Sequence, residues 1–136
     1  MNREVIRCSV YEKREGISTS VPRYLFFEDG FIYVVSLNLN KMGYAVVRSA
    51  MPLIFTFTRE NNDNRYTMFL TCERRDQGGH IIKVFDEVLV FDDFVKCKEV
   101  RSIIERNVTR VKDLKRNILL QMLQQPWSHT LPDIAA

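Results

Sequence analysis

Few side chains in this sequence could support catalysis. The chain contains 2 His and 3 Cys, and Cys72 with His80 is the one pair that a single hairpin could bring together. Nucleophilic catalysis needs a base within hydrogen-bond reach of the nucleophile and a third group that orients the base. Cys72 lies in an apolar strand pattern, and its neighbours do not indicate an activated thiol, so a buried structural cysteine is the favoured interpretation. We expect a protein that is not an enzyme.

Metal and cofactor sites also lack the residues that they require. Zinc needs three or four Cys, His or acidic ligands at close spacing, and the cysteines are scattered. The adjacent acids Asp86 and Glu87 would point to opposite faces of a strand. Asp92 and Asp93 are better explained as the start of a helix. No glycine-rich phosphate loop is present. We therefore expect no cofactor, no metal and no small-molecule substrate.

Composition indicates one soluble globular domain. The chain has 136 residues, of which 46% are hydrophobic and 27% charged, and the longest apolar runs are too short to span a bilayer. The formal net charge of +3 is mild for a dedicated nucleic-acid-binding protein. No secretory signal is visible, and the three cysteines lack paired spacing (Cys8, Cys72 and Cys97). Free thiols in a reducing, intracellular compartment, cytoplasmic or nuclear, are expected.

The first two thirds of the sequence predict strands. Alternating apolar residues, broken by turn signals such as Asp29-Gly30, predict seven segments at 3–12, 23–28, 31–39, 44–49, 53–59, 66–73 and 81–91. Their connections are too short for crossover helices, so the pairing is predicted to be antiparallel. The acids at Asp86-Glu87 suggest a bend or break in the last segment. The aromatic residues alternate regularly and predict a barrel core, with Phe55 and Phe57 among them.

A long helix is predicted after the last strand. Asp92-Asp93 can cap it, apolar residues recur near a 3.6-residue period, and Pro126 ends it. The predicted fold class is α+β, mostly β, with about seven antiparallel strands in a partly open barrel or sandwich and one long C-terminal helix. We divide the chain into a β-barrel domain with the first half of the helix (1–110), a projecting amphipathic helix (111–125) and a flexible tail (126–136).

This order of elements resembles the pleckstrin-homology-like superfold over roughly residues 3–110. The resemblance implies two near-orthogonal sheets in a partly open barrel, with the helix plugging one end, and binding of proteins, peptides or phosphoinositides. Phosphoinositide binders in that family carry a basic residue near the end of the first strand and a basic-x-Arg pattern in the second. Lys13 and Arg14 fit the first position and Arg23 fits the last, but Val21 replaces the second basic residue. A β-sandwich head with a helical stalk is the second-ranked architecture.

The predicted helix is longer than the barrel. About 32 residues at ~1.5 Å each reach roughly 48 Å, whereas a barrel of ~90 residues is about 25–30 Å across. The second half should therefore project and expose an apolar stripe that needs a partner. The simplest partner is a second copy, packed as a helical pair in a homodimer. The alternative is a kink near Asn107 that folds the second half back. The residues assigned to the helical contact are Val111, Leu114, Ile118, Met122 and Leu123.

Two further functions stay open. The helix is rich in cations, which could contact the phosphates of a nucleic acid or could simply be a solvated helix face; they are Arg106, Arg110, Lys112, Lys115 and Arg116. Binding to an anionic membrane through Lys13, Arg14 and Arg23 is the other alternative and is less favoured. The tail contains Trp127 and could be a docking motif, a disordered end or a segment that packs on its own domain.

Overall fold

The computed structural model describes residues 4–38 and 40–124. The described chain forms seven strands followed by one helix, which confirms the predicted fold class. A short 3₁₀ helix, Leu53–Phe55, separates the fourth strand from the fifth. The elements are β1 Ile6–Arg14, β2 Ile17–Glu28, β3 Phe31–Leu37, β4 Ala45–Pro52, β5 Thr56–Glu60, β6 Thr67–Arg75, β7 Ile81–Val90 and α1 Phe94–Gln124.

All strands pair antiparallel in one sheet with the order β4-β3-β2-β1-β7-β6-β5. The pairing between β1 and β7 is the weakest seam, because Ser9 opposite Val90 is its one aligned position. Elsewhere neighbouring strands align over at least five positions. Within the described residues β4 and β5 do not pair, so the barrel stays open.

Two tight hairpins set the register of the first three strands. Asp29 and Gly30 both have positive φ, 53° and 82°, as the predicted turn requires. Glu15 and Gly16 form an equivalent turn with φ of 54° and 78°. Because of the Glu15-Gly16 turn, β2 starts at Ile17, whereas the sequence predicted a start at residue 23. The early part of β2 is exposed and places Ser and Thr between Ile17 and Val21, so its apolar pattern was too sparse to reveal a strand.

Two predicted strands differ in the structure. The segment predicted as a strand from residue 53 begins as the 3₁₀ helix, and β5 starts at Thr56, whose hydroxyl donates to the Pro52 carbonyl oxygen (2.7 Å). The predicted bend at Asp86-Glu87 is absent, and β7 continues through both residues. Its irregularity lies earlier, because the pairing with β6 skips Val84.

The core is aliphatic rather than aromatic. Leu25, Ile32, Leu70 and Leu89 of the sheet are fully buried together with residues of α1. Among the described residues, Phe91 is the one aromatic side chain in the buried set. The prediction that Phe55 and Phe57 fill the barrel was wrong, because both rings are substantially exposed. Alternation located the strands, but it could not say which face of β5 would be covered.

Helix α1 packs its first half on the barrel. The Asp93 carboxylate accepts a hydrogen bond from the Lys96 backbone N–H (2.7 Å), which is the predicted N-cap. Four residues of one face, Cys97, Val100, Ile104 and Val108, enter the core. The helix is continuous through Asn107, whose side-chain amide donates to the Ile103 carbonyl oxygen (2.8 Å). The described helix therefore does not fold back at that residue.

The predicted division of the chain stays a prediction. Val111 still packs against the core, and every residue from 112 to 124 is exposed. We call residues 112–124 the projecting half of α1. The predicted flexible tail, 126–136, lies outside the described residues, as do the predicted strand ends at Arg3 and Leu39.

Candidate functional site

A polar seam holds α1 against the edge strand β5. The Arg101 guanidinium donates through Nε to the Thr58 hydroxyl (3.1 Å) and through Nη1 to the Glu60 carboxylate (2.8 Å). The Thr58 hydroxyl donates in turn to the Glu105 carboxylate (3.2 Å). These contacts join the helix to the strand beside the apolar core contacts. The orientation of the projecting half is therefore set by a rigid base.

The apolar stripe of the projecting half continues the line of the buried helix face. At about 100° per residue, Ile118 and Met122 lie within roughly 40° of the direction in which Ile104 points into the core. Leu114 and Leu123 lie on the two flanks of that line. Leu114 is 59% exposed and Ile118 is 49% exposed. The structure therefore places Ile118 and Met122 on one face that no described residue covers, with Leu114 and Leu123 at its two edges, while Val111 borders the core.

The five predicted anion-binding cations do not form one face. All of them are exposed, but at 100° per residue they span an arc of roughly 220° around the helix axis. Arg106 and Arg110 lie on one side and Lys112 and Arg116 on the other, and Lys115 lies within the apolar stripe, about 20° from the direction of Ile104. Arg116 also pairs with Asp113 at 3.3 Å. A single phosphate backbone could not contact all five cations at once.

A groove of about 620 Å³ lies where α1 leaves the barrel. Its apolar lining comes from Ile54 and Phe55 of the 3₁₀ helix, from Phe57 of β5 and from Ile81 of β7. Its charged lining consists of Glu73, Arg74, Arg75 and Lys112. We call this site the rim groove. Sequence reasoning treated Phe55 and Phe57 as core residues, because only the tertiary fold brings the five elements that line the groove to this point.

The thiols are poorly suited to nucleophilic chemistry. All three cysteines are free and buried, and burial raises the pKa of Cys8 to about 12 despite the nearby positive charge of Arg23. Burial also raises the pKa of Cys72 and of Cys97. His80 is exposed and pairs instead with Asp76, at 3.5 Å between ring nitrogen and carboxylate. Cys72 is therefore held as an un-ionised thiol at neutral pH.

Comparison with known proteins supports the architecture. No protein-family model matches the chain, and no curated protein matches it by sequence. By fold it is similar to a DH/PH fragment of PDZ-RhoGEF solved in complex with human RhoA, with a TM-score of 0.57 and 10% identity over 79% of this chain. It is also similar to the pleckstrin homology domain of human KIAA0053 protein, with a TM-score of 0.53 and 12% identity. This protein has the pleckstrin-homology-like fold.

The length of the match differs between these structures. The PH-like domain spans 29% of the PDZ-RhoGEF chain and 30% of the chain in the linker-DH/PH structure of p115-RhoGEF, where the TM-score is 0.54 and the identity 11%. It covers 92% of the KIAA0053 domain, which aligns with 80% of this chain. The similarity therefore concerns one domain of the larger proteins. At these identities it describes the fold.

The three predicted headgroup residues of the PH-like domain do not converge. Arg23 is 8% exposed; its guanidinium pairs with the Glu12 carboxylate and donates to the Pro22 carbonyl oxygen (2.9 Å). Lys13 and Arg14 are exposed, and Arg14 approaches Glu12 at 3.6 Å. The arginine that matched the family pattern is thus occupied inside the barrel. Two exposed cations are left at the tip of the β1–β2 hairpin.

The described residues of the PH-like domain contain neither a membrane-spanning helix nor a cluster of metal ligands. Within residues 4–38 and 40–124, no helix is both long and apolar enough to cross a membrane. In the same part of the chain, no cluster of three or more His, Cys, Asp or Glu side chains could hold a metal ion.

Proposed function

We propose that this protein is a non-catalytic protein-interaction module that self-associates through the projecting half of α1. One observation carries the proposal: the helix face that is buried in the barrel continues into the projecting half, where no other described residue covers it. Ile118 and Met122 extend the buried line, and Leu114 and Leu123 widen it. A stripe of this kind is unfavourable in water, because each aliphatic side chain gains roughly 1.5–3 kcal/mol on full burial.

A second copy is the simplest cover for this surface. An exposed stripe on one copy is matched by the same stripe on another, so a twofold arrangement buries both at once. The helix spacing near 3.6 residues suits pairing of the two projecting halves, side by side along their length. The barrels would then lie at the ends of the helical pair and remain free for other contacts.

The test is the solution mass measured by light scattering over a range of protein concentrations. We expect a dimer for the wild type and a folded monomer for the double variant Leu114→Glu, Ile118→Glu, because two carboxylates would be buried in the helical contact. A chain truncated after Lys112 should also be monomeric and folded, since Val111 is the last residue that packs on the core.

Leu120→Glu is the matched control for this experiment. Leu120 is also exposed, but at 100° per residue it lies on the far side of the helix from Ile104. It should leave the dimer intact. A monomeric wild type at all concentrations, or a double variant that remains dimeric, would contradict self-association.

The nucleic-acid alternative makes a different prediction. The five helix cations lie on several faces, so binding to a phosphate matrix should be weak and should not depend on one side of the helix. Retention at low salt that is lost in the variant Arg106→Glu, Arg110→Glu would favour that alternative. No structural observation brings these cations together.

A further inference from the structure

The rim groove combines an apolar floor with unpaired positive charge. The Phe55 ring is 49% exposed, and Phe57 and Ile81 are also exposed beside it. Of the described residues, none forms an ion pair with Arg74 or Lys112. Such a combination of open apolar surface and uncompensated cations is unusual on a surface that faces only solvent.

The charges of the groove are unequal. Its lining includes three cations, Arg74, Arg75 and Lys112, and one carboxylate, Glu73. The Arg75 guanidinium donates to the Gly79 carbonyl oxygen (3.0 Å), which places its positive charge at the groove beside the β6–β7 loop. Apolar walls lower the local dielectric constant and strengthen attraction to an anion. The groove is therefore complementary to a group that is negatively charged.

The frame of the groove is rigid enough to be preformed. The ladder between β6 and β7 continues to the pair Arg75 and Ile81. The hydrogen bond of Thr56 to the Pro52 carbonyl oxygen ties the 3₁₀ helix to the start of β5. Lys112 is placed by the helix turn that contains Val111, which packs on the core. A preformed site loses less entropy when a ligand binds.

We propose that the rim groove binds a short acidic peptide segment of another protein, with carboxylates at the three cations and apolar side chains on the floor. A volume of about 620 Å³ accommodates several side chains. The apolar residues of the floor come from three elements that surround the groove, whereas insertion into a bilayer needs apolar residues gathered on one protruding tip. This site is separate from the apolar stripe of the projecting half.

The experiment begins with selection from a phage-displayed library of random dodecapeptides on the immobilised full chain. Selected peptides are then synthesised with a fluorescent label, and their affinity is measured by anisotropy. We expect enriched sequences to carry Asp or Glu next to aliphatic or aromatic residues. Affinity should fall at least about tenfold in the variant Arg74→Glu, Lys112→Glu and also in Phe55→Ser, and it should weaken as salt rises.

Matched controls separate the groove from general effects of charge and hydrophobicity. The variant Arg106→Glu, Arg110→Glu changes net charge equally on another part of α1, and Tyr44→Ser removes an exposed aromatic ring away from the groove. Both should bind the selected peptides as the wild type does. Circular dichroism checks that each variant is folded. If Phe55→Ser unfolds, the test rests on the variant Arg74→Glu, Lys112→Glu alone, because both of its positions are exposed.

Several results would overturn the proposal. The first is a selection that enriches no peptides combining acidic with apolar residues. The second is a loss of affinity in the control variants that equals the loss in the groove variants. The third is stronger binding by a peptide of residues 125–136, which would make the tail the occupant of the groove. Binding of vesicles with phosphatidylserine that is lost in Arg74→Glu, Lys112→Glu, without peptide binding, would assign the groove to lipid. Failure of self-association is distinguishable, because the variant Leu114→Glu, Ile118→Glu keeps the groove intact.

Discussion

At the scale of single residues, the charged cluster inside the open barrel explains how β7 tolerates two adjacent acids. Glu87 shares the inner face of β7 with buried Leu89, by the two-residue alternation of a strand. Burial raises the pKa of Glu87, and the positive charge of Arg23 opposes that rise. Arg23 pairs at the same time with Glu12. Glu87 is itself exposed, so the buried guanidinium and solvent together stabilise the two carboxylates, and the strand need not break.

Removal of that guanidinium should destabilise the domain. We expect Arg23→Met to lower the free energy of unfolding by about 1–2 kcal/mol at pH 7, because Glu12 loses its buried cation while solvent screens much of the effect on the exposed Glu87. Without Arg23 the pKa of Glu87 rises further in the folded state, so the loss grows as pH rises through that pKa and shrinks at pH 4. Urea denaturation at both pH values measures this difference.

Arg14→Met is the control for Arg23. Arg14 also approaches Glu12, but its side chain is exposed, and exposed ion pairs contribute about 0–1 kcal/mol. Its replacement should change stability little at either pH. Equal losses for both variants, or a loss for Arg23→Met that does not depend on pH, would contradict the compensating role of Arg23.

The buried thiol of Cys8 predicts a loss of stability in alkali. Its pKa is raised by burial to about 12 in the folded protein, whereas an unfolded thiol ionises near 8.5. Above that pH the unfolded chain loses a proton that the folded chain keeps, so ionisation favours unfolding. From about pH 9 towards pH 12 the thiol should lower stability by up to about 1.4 kcal/mol per pH unit.

Comparison of wild type and Cys8→Ala isolates this effect from other alkaline titrations. The urea midpoint should fall less steeply with pH in Cys8→Ala than in the wild type. Ellman's reagent at pH 8 should also label the native cysteines only as fast as the chain opens. Parallel pH profiles for the two proteins, or rapid labelling of Cys8 in the native state, would show that the thiol is not protected.

At the scale of elements, the start of α1 depends on one capping side chain. The Asp93 carboxylate accepts a hydrogen bond from the Lys96 backbone N–H and lies near the positive end of the helix dipole. We expect Asp93→Ala to lower the free energy of unfolding by about 1 kcal/mol. Thermal or urea unfolding followed by circular dichroism measures the change.

Asp92→Ala is the matched control, since Asp92 is the adjacent acid but its side chain accepts no hydrogen bond from any described residue. It should cost less than Asp93→Ala. If the two variants lose the same stability, the helix start depends on negative charge in general and not on the cap.

At the scale of the whole molecule, the barrel and the first half of α1 should unfold as one unit. Cys97, Val100, Ile104 and Val108 join the sheet core, whereas the residues of the projecting half have no tertiary contacts that bury them. In a dilute monomer, the amides of 112–124 should exchange with solvent much faster than those of 97–111. Hydrogen exchange resolved by peptide mass spectrometry measures both segments.

Concentration provides the control for this prediction. If the projecting halves pair, their amides should gain protection as protein concentration rises, while the barrel amides change little. In the variant Leu114→Glu, Ile118→Glu this gain should disappear. Protection of 112–124 that equals the barrel at every concentration would mean that another part of the chain covers the stripe.

The strand and helix positions followed from local patterns in the sequence. Alternation, turn signals and the 3.6-residue period depend on neighbouring residues, so they located seven strands, the Asp29-Gly30 hairpin and the span of α1. The exposed start of β2 had too sparse an apolar pattern and was missed. The spread of the helix cations around the axis also follows from residue spacing alone. It becomes visible when each position is assigned an angle at 100° per residue.

The tertiary structure decided what each face meets. Burial of Arg23, exposure of Phe55 and assembly of the rim groove depend on which strands are neighbours and where α1 crosses them. These are contacts between residues far apart in the chain, and no local pattern encodes them. The position along α1 at which the apolar stripe becomes exposed also depends on such contacts. The helical period predicted the stripe, but only packing against the barrel showed that its cover ends at Val111.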